Sequence, residues 1–318
     1  MSERKAFLDH VLEGLRQKPK KISSLYFYDT QGSKIFQKIM NMPEYYLPGL
    51  EKALLVKEAK TIAARFKDEP VTVIELGAGD GSKTRILLES LSMFSGNVTY
   101  VPLDIDLDVL EENKLATIQA IKGIQVKSIA GNYFQTLSEA VGIGGKKLLL
   151  FMGSNLGNFD ENRTRDFLKM IYDHLGKGDY FLLAVDLKKD PKKIAKAYDD
   201  PHGITAKFNL NLLVRINREL QGDFRLDQFE HYATYNPLSG LAQSFLVSKK
   251  RQKVQISGHI FEFEAGEIIH TENSKKYALP EIKQLLENEG FLINSAAIFE
   301  QDGYGIILAG KSIFLKNN

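Results

Sequence analysis

Residues 75–81 read Glu75-Leu76-Gly77-Ala78-Gly79-Asp80-Gly81, an E-x-G-x-G-x-G run at the end of an apolar stretch that starts at Val71. Glycine has no Cβ, so the chain can turn sharply there and lie close against a ligand. A dinucleotide site prefers G-x-G-x-x-G, whose third glycine packs helix on strand; Ser82 stands at that position here. Glu75, ahead of the first glycine, suits the cationic end of a ligand such as a sulfonium amino acid. Lys83 opens the segment after the turn, within reach of a ligand carboxylate. Asp104 ends a second apolar stretch, where a carboxylate can accept hydrogen bonds from both hydroxyls of a ribose. Asp106 competes for that role and equally suits a helix cap. Asn132 and Tyr133 follow a third stretch; Asn can pair with the edge of an adenine and Tyr can cover its face.

These residues need elements to hold them. Phe7, Val11, Leu12 and Leu15 share one face of a first helix. A short helix is expected over residues 33–40, ended by Pro43, and a longer one from Pro48 to Phe66. A strand running into the glycine turn is expected over residues 71–81, with others at residues 98–106, 124–133, 146–158 and 179–187, alternating with helices. Asp160 caps the helix that carries Phe167, Leu168, Ile171 and Leu175. Such alternation predicts an open parallel sheet covered by helices on both faces. Residues 291–312 read as two strands joined by an Asp-Gly turn, a hairpin. An α/β Rossmann-like parallel sheet closed by an antiparallel hairpin is the class I methyltransferase arrangement. Residues 188–278 interrupt it with alternating strands, in which Phe261 and Phe263 face away from Glu262 and Glu264. We read residues 51–187 and 279–318 as one domain, and residues 1–50 and 188–278 as an inserted α+β substrate-binding domain.

Composition narrows the function. The 318 residues carry a net charge of +2, which does not suit a nucleic-acid binder. The absence of cysteine excludes disulfides, thiolate zinc sites and a cysteine nucleophile. The six histidines show no metal-ligand spacing, so no metal is expected. No apolar run reaches the roughly 18 residues of a membrane span, and the first residues lack the apolar core of a secretion signal. A cytoplasmic location is expected, with no membrane partner.

The motifs "FYDTQGSKIF", "PEYYLP", "ELGAGDGSKT", "FMGSNLGN", "AYDDPHGITAKFNLN" and "HTENSKKY" resemble those of the ergothioneine-pathway histidine methyltransferases. These enzymes trimethylate the α-amino group of L-histidine to hercynine, using S-adenosylmethionine (SAM). The resemblance covers nearly the whole chain and implies a two-domain monomer with histidine held between its domains. It implies SAM contacts from Gly77, Gly79 and Lys83, a ribose carboxylate at Asp104 and an adenine pair at Asn132 and Tyr133. It places Tyr45 near both SAM and substrate, Asn158 and Tyr198 on the substrate carboxylate, and Glu272 and Ser274 on the imidazole. Tyr28 and Phe208 line the pocket, and Gly153 leaves room for the substrate.

The chemistry asks for little beyond placement. A sulfonium leaves easily, so the enzyme must put a neutral amine in line behind its methyl. The nearby positive charge favours loss of the ammonium proton, which water can carry away, ordered by Tyr28 or Tyr45 as the catalytic residues. The alternatives are N-methylation of another amino acid such as a tryptophan derivative, an NAD-dependent oxidoreductase, and a non-catalytic SAM-binding protein. Position 82 and the closing hairpin count against the second.

Overall fold

The computed structural model describes residues 3–311; residues 1–2 and 312–318 of the expected domains lie outside the described residues. The chain divides into two compact units, Met1–Tyr46 with Lys189–Lys275, and Leu47–Lys188 with Lys276–Asn318. A cut after residue 50 is corrected, because one continuous helix spans Leu47–Ala63.

The first unit begins with α1 (Glu3–Arg16), β1 (Lys20–Lys21) and α2 (Thr30–Met40). The second unit supplies α3 (Leu47–Ala63), β2 (Val71–Leu76), α4 (Thr84–Phe94), β3 (Val98–Asp104) and α5 (Leu107–Ala120). It continues with β4 (Gln125–Val126), β5 (Ile129–Ala130), α6 (Tyr133–Val141), β6 (Lys146–Phe151), α7 (Glu161–His174) and β7 (Tyr180–Asp186). The first unit resumes with α8 (Pro191–Tyr198), α9 (Ile204–Leu220), β8 (Phe229–Asn236) and β9 (Leu241–Ser248). Its last strands are β10 (Gln252–Ile256), β11 (His259–Phe263) and β12 (Ile268–Lys275). The second unit ends in α10 (Leu279–Asn288), β13 (Phe291–Phe299) and β14 (Tyr304–Lys311).

In the second unit the sheet order is β13-β14-β7-β6-β2-β3-β4, with β5 also on β3. Only β14 runs against the rest, lying antiparallel to both β7 and β13. This is the expected class I methyltransferase sheet. All six residues of β2 are buried, as suits a central parallel strand covered on both faces. The single third strand expected over residues 124–133 is corrected to two short pieces, β4 and β5. Both run parallel to β3 at the sheet margin, and the interruption between them falls at Lys127 and Ser128. Phe167 of α7 seals one face; its ring centroid lies 4.4 Å from Phe151, 5.4 Å from Phe159 and 6.5 Å from Phe181.

The first unit has a sheet of order β1-β12-β9-β8 and a separate β10–β11 hairpin. Along β9 burial alternates residue by residue, and Phe261 and Phe263 are buried while Glu262 and Glu264 are exposed. The segment expected to hold strands also contains α8 and α9. Asp190 caps α8 by accepting from the Lys192 N–H, with Pro191 in the first turn. The buried Phe208, Leu212, Leu213, Ile216 and Leu220 of α9 join Phe7, Val11 and Leu15 of α1 in this unit's core. Among the described residues no helix is long and apolar enough to cross a membrane.

Phe167→Ala removes the ring at the centre of the α7 cluster and leaves a gap beside the fully buried Phe151 and Phe181. We predict a loss of roughly 3–5 kcal/mol, measured by chemical denaturation.

Candidate active site

Leaving β2, the chain takes positive φ at Gly77, Gly79 and Gly81, at 72°, 53° and 64°. Two neighbours hold the middle of this turn. The Gly79 N–H donates to Asp104 Oδ2 at 2.9 Å, and its carbonyl accepts from Asn113 Nδ2 at 2.9 Å. A Cβ on Gly81 would fall 2.2 Å from the Asn113 side chain, whereas one on Gly79 would meet nothing within 4 Å. Gly81 is therefore glycine for packing and conformation, while Gly79 leaves an open side that a ligand can approach. The other Asp104 oxygen accepts from the Asp106 N–H at 3.2 Å. Each carboxylate oxygen thus keeps a lone pair for a ribose hydroxyl. Asp106 is the cap of α5, accepting from the Asp108 and Val109 N–H groups.

Glu75 does not face a ligand, and the cationic-ligand role read for it is corrected. Its carboxylate is buried, accepting from Thr84 Oγ1 at 2.6 Å and from the Tyr100 hydroxyl. Burial pushes its pKa up to about 7, against the hydrogen bonds of Thr84 and Tyr100 and the charge of Lys83.

Lys83 forms an ion pair with Glu51 of α3. Burial works against the ammonium, but the charge and hydrogen bond of Glu51, with the charges of Glu75 and Asp80, hold its pKa above the ordinary value. Glu51 is fully buried, and its second oxygen accepts from the Gly153 N–H at 2.7 Å and the Tyr304 hydroxyl at 2.5 Å. Lys83 and Gly153, expected at different ends of the reacting pair, therefore share one carboxylate. Glu51 was missed by sequence reasoning, although a signal exists: it falls on the buried stripe Leu47, Glu51, Leu54, Leu55 of its helix.

Asn132 caps α6, its side chain accepting from the Phe134 N–H at 3.0 Å. Its amide NH2 and the second lone pair of its oxygen remain for an adenine edge. The Tyr133 ring packs edge-on to Phe151 and Phe167, 5.9 and 6.1 Å away, and burial raises its pKa to about 12. It packs against the core wall while remaining partly exposed. Asn158 ends the short 3-10 turn Asn155–Asn158 and is exposed.

The first unit gathers the remaining candidates. Tyr28 lies edge-on to Phe36 at 5.3 Å and to Phe208 at 5.6 Å, and Phe36 reaches Tyr45 at 6.2 Å. Phe36, not singled out from the sequence, is the centre of this group. Tyr45 also packs on the cluster that contains Tyr198. The Tyr198 hydroxyl donates to Ser274 Oγ at 2.6 Å, both side chains being buried. Ser244 donates to Glu272 at 3.2 Å. A register shift between His270 and Glu272 places Glu272 opposite Ser244 and Ser274 opposite Ala242. That bulge turns both side chains to the sheet's buried face. Tyr198 and Ser274, expected at opposite ends of the substrate, are here bonded to each other. Among the described residues no three His, Asp or Glu side chains are grouped to hold a metal ion.

A parallel sheet closed by an antiparallel hairpin, with a clamped glycine turn after its central strand, is the arrangement of the class I methyltransferases. The comparisons make this narrower. The chain matches the histidine-specific, SAM-dependent methyltransferases over residues 7–311 and belongs to that family. It is 36% identical over 269 residues to the histidine N-alpha-methyltransferase of Mycobacterium tuberculosis, covering 84% of this chain and 83% of that one. The enzyme of the same name from Mycolicibacterium smegmatis is also 36% identical, over 84% of this chain and 83% of its own. The L-tryptophan methyltransferase of Psilocybe serbica is more distant, at 27% over 93% of this chain and 90% of its own.

The buried Glu75 has a measurable consequence. Its folded pKa of about 7 lies above the ordinary 4.5, so the folded state holds the proton more tightly than the unfolded chain. Its contribution to stability is full below about pH 4.5 and is lost as the pH rises through about 7. Denaturation of wild type and Glu75→Gln across pH 5 to 8 will show wild type losing stability relative to the variant, on the order of 3 kcal/mol. A constant difference would show that Glu75 stays ionised when folded.

Proposed function

We propose that this chain transfers methyl groups from SAM to the α-amino group of L-histidine, up to three in succession, giving trimethylhistidine for ergothioneine synthesis. The observation that carries the choice of histidine is the inward-facing pair Glu272 and Ser274, within a family match that runs through both units. Imidazole offers one N–H donor and one nitrogen acceptor. Glu272 accepts the N–H. Ser274, released from the Tyr198 hydroxyl that it accepts from here, gives its own proton to the other nitrogen. An indole has a donor and no such acceptor, so it satisfies only half of this pair.

SAM supplies a methyl group already activated on a sulfonium. Gly77, Gly79, Asp104, Asn132 and Tyr133 are the groups proposed to hold its adenosine, and Lys83 its carboxylate. Asn158 and Tyr198 take the substrate carboxylate; for Tyr198 this needs only rotation of its hydroxyl hydrogen away from Ser274. Gly153 leaves room for the reacting amine. Tyr45 and Tyr28 order the water that removes the amine's proton. The aromatic group of Tyr28, Phe36, Tyr45 and Phe208 suits an amine that becomes quaternary, through cation–π attraction. We further propose that the protein works as a cytoplasmic monomer without a metal.

Tandem mass spectrometry of the product of SAM and histidine tests this reading. We expect one to three methyl groups, all on the α-nitrogen and none on the ring. Methylation of the imidazole, or none at all, would overturn it. Glu272→Ala is expected to lower kcat/KM for histidine by about a hundredfold, in line with an unpaired buried donor, while leaving SAM affinity unchanged.

A further inference from the structure

The carboxylate of Glu51 is enclosed, and everything given to it is a donor: the Lys83 ammonium, the Gly153 N–H at 2.7 Å and the Tyr304 hydroxyl at 2.5 Å. An ionised carboxylate has two acceptor oxygens and no hydrogen, so it alone among side chains of this length satisfies three donors. Glutamine would turn an NH2 group toward one of them.

The three partners come from separate places. Lys83 leads into α4 after the glycine turn, Gly153 follows β6, and Tyr304 starts the closing strand β14. Gly153 has φ of 73°, and a Cβ there would lie 3.2 Å from the Asn155 amide. The backbone at Gly153 is thus held in an unusual conformation with its N–H aimed at Glu51. Lys83 has a 29% exposed side chain and Glu51 none. Glu51 therefore meets Lys83 from the protein side, and the ammonium's other hydrogens remain for a ligand.

We infer that Glu51 is a positioning residue for the methyl donor: it aims the Lys83 ammonium at the aminoacyl carboxylate of SAM and fixes the Gly153 turn beside it. This rests on the reading of Lys83 as the group that meets that carboxylate. Glu51 touches no reacting atom. It acts by fixing two groups before the ligand arrives, so that less freedom is lost on binding.

The test separates aim from structure by using two probes that share an adenosine. S-adenosylhomocysteine carries the aminoacyl carboxylate; 5′-methylthioadenosine lacks it. Calorimetry on Glu51→Gln is expected to show S-adenosylhomocysteine binding weakened at least tenfold and methylthioadenosine changed less than twofold. Lys83→Met should give the same pattern, and the double variant should be little worse than either single one. Equal weakening of both probes, or of neither, would overturn the inference. So would full additivity in the double variant. A Lys83→Met variant that keeps full affinity for S-adenosylhomocysteine would instead remove the Lys83 reading itself. Should Glu51→Gln fail to fold, Tyr304→Phe deletes one donor to the same carboxylate. It is then expected to weaken S-adenosylhomocysteine alone, by two- to fivefold; equal effects on both probes would count against the inference.

Discussion

A carboxylate removed from water must find donors, and two of them, Glu51 and Glu75, lie buried around the glycine turn. The ligand end of the methyltransferase sheet follows from how they are satisfied. Glu75 takes Thr84 and Tyr100. Tyr100 in turn accepts from Asn113 at 3.2 Å, and Asn113 holds the Gly79 carbonyl. Glu51 takes Lys83, Gly153 and Tyr304. Between them these groups tie α3, α4, α5, β3, β6 and β14 to a turn that has three positive φ angles and little packing of its own. A ligand can then meet fixed backbone and fixed charge rather than a loop that must be ordered on arrival.

The other unit solves a different problem. Its alternating strands would put Thr271 and Asn273 opposite Ser244 and Ala242 if pairing ran without interruption. One extra residue at the bulge puts Glu272 and Ser274 there instead. A one-residue slip reverses every following side chain, so this single irregularity decides which polar groups face inward. Tyr198 of α8 then meets Ser274 with its hydroxyl.

Much of this was legible in the sequence. Periodicity and turn residues located the strands of the parallel sheet, the hairpin and the helix capped by Asp160, because buried strands and caps leave local signals. The Asp104 and glycine assignments followed from where strands end. What local pattern could not convey was direction. Glu75 stands where a ligand was expected, yet it turns into the protein, a choice made by neighbours distant in sequence. Helix α8 announced itself through Asp190 and Pro191, but its apolar face is only Ile194, Ala197 and Tyr198, short enough to be read as part of a strand-rich segment. The motifs of the inserted unit carried the substrate assignment, since nothing in their spacing alone distinguishes an imidazole anchor from a strand face.

The central claim is that this chain acts on histidine. It is tested most directly by comparing kcat/KM for histidine with that for each other common amino acid, tryptophan included, on one preparation at saturating SAM. A site that satisfies both imidazole nitrogens should favour histidine over tryptophan by a hundredfold or more, since the wrong ring leaves a buried polar group unpaired. Equal or faster methylation of tryptophan, or of any other amino acid, would contradict the account.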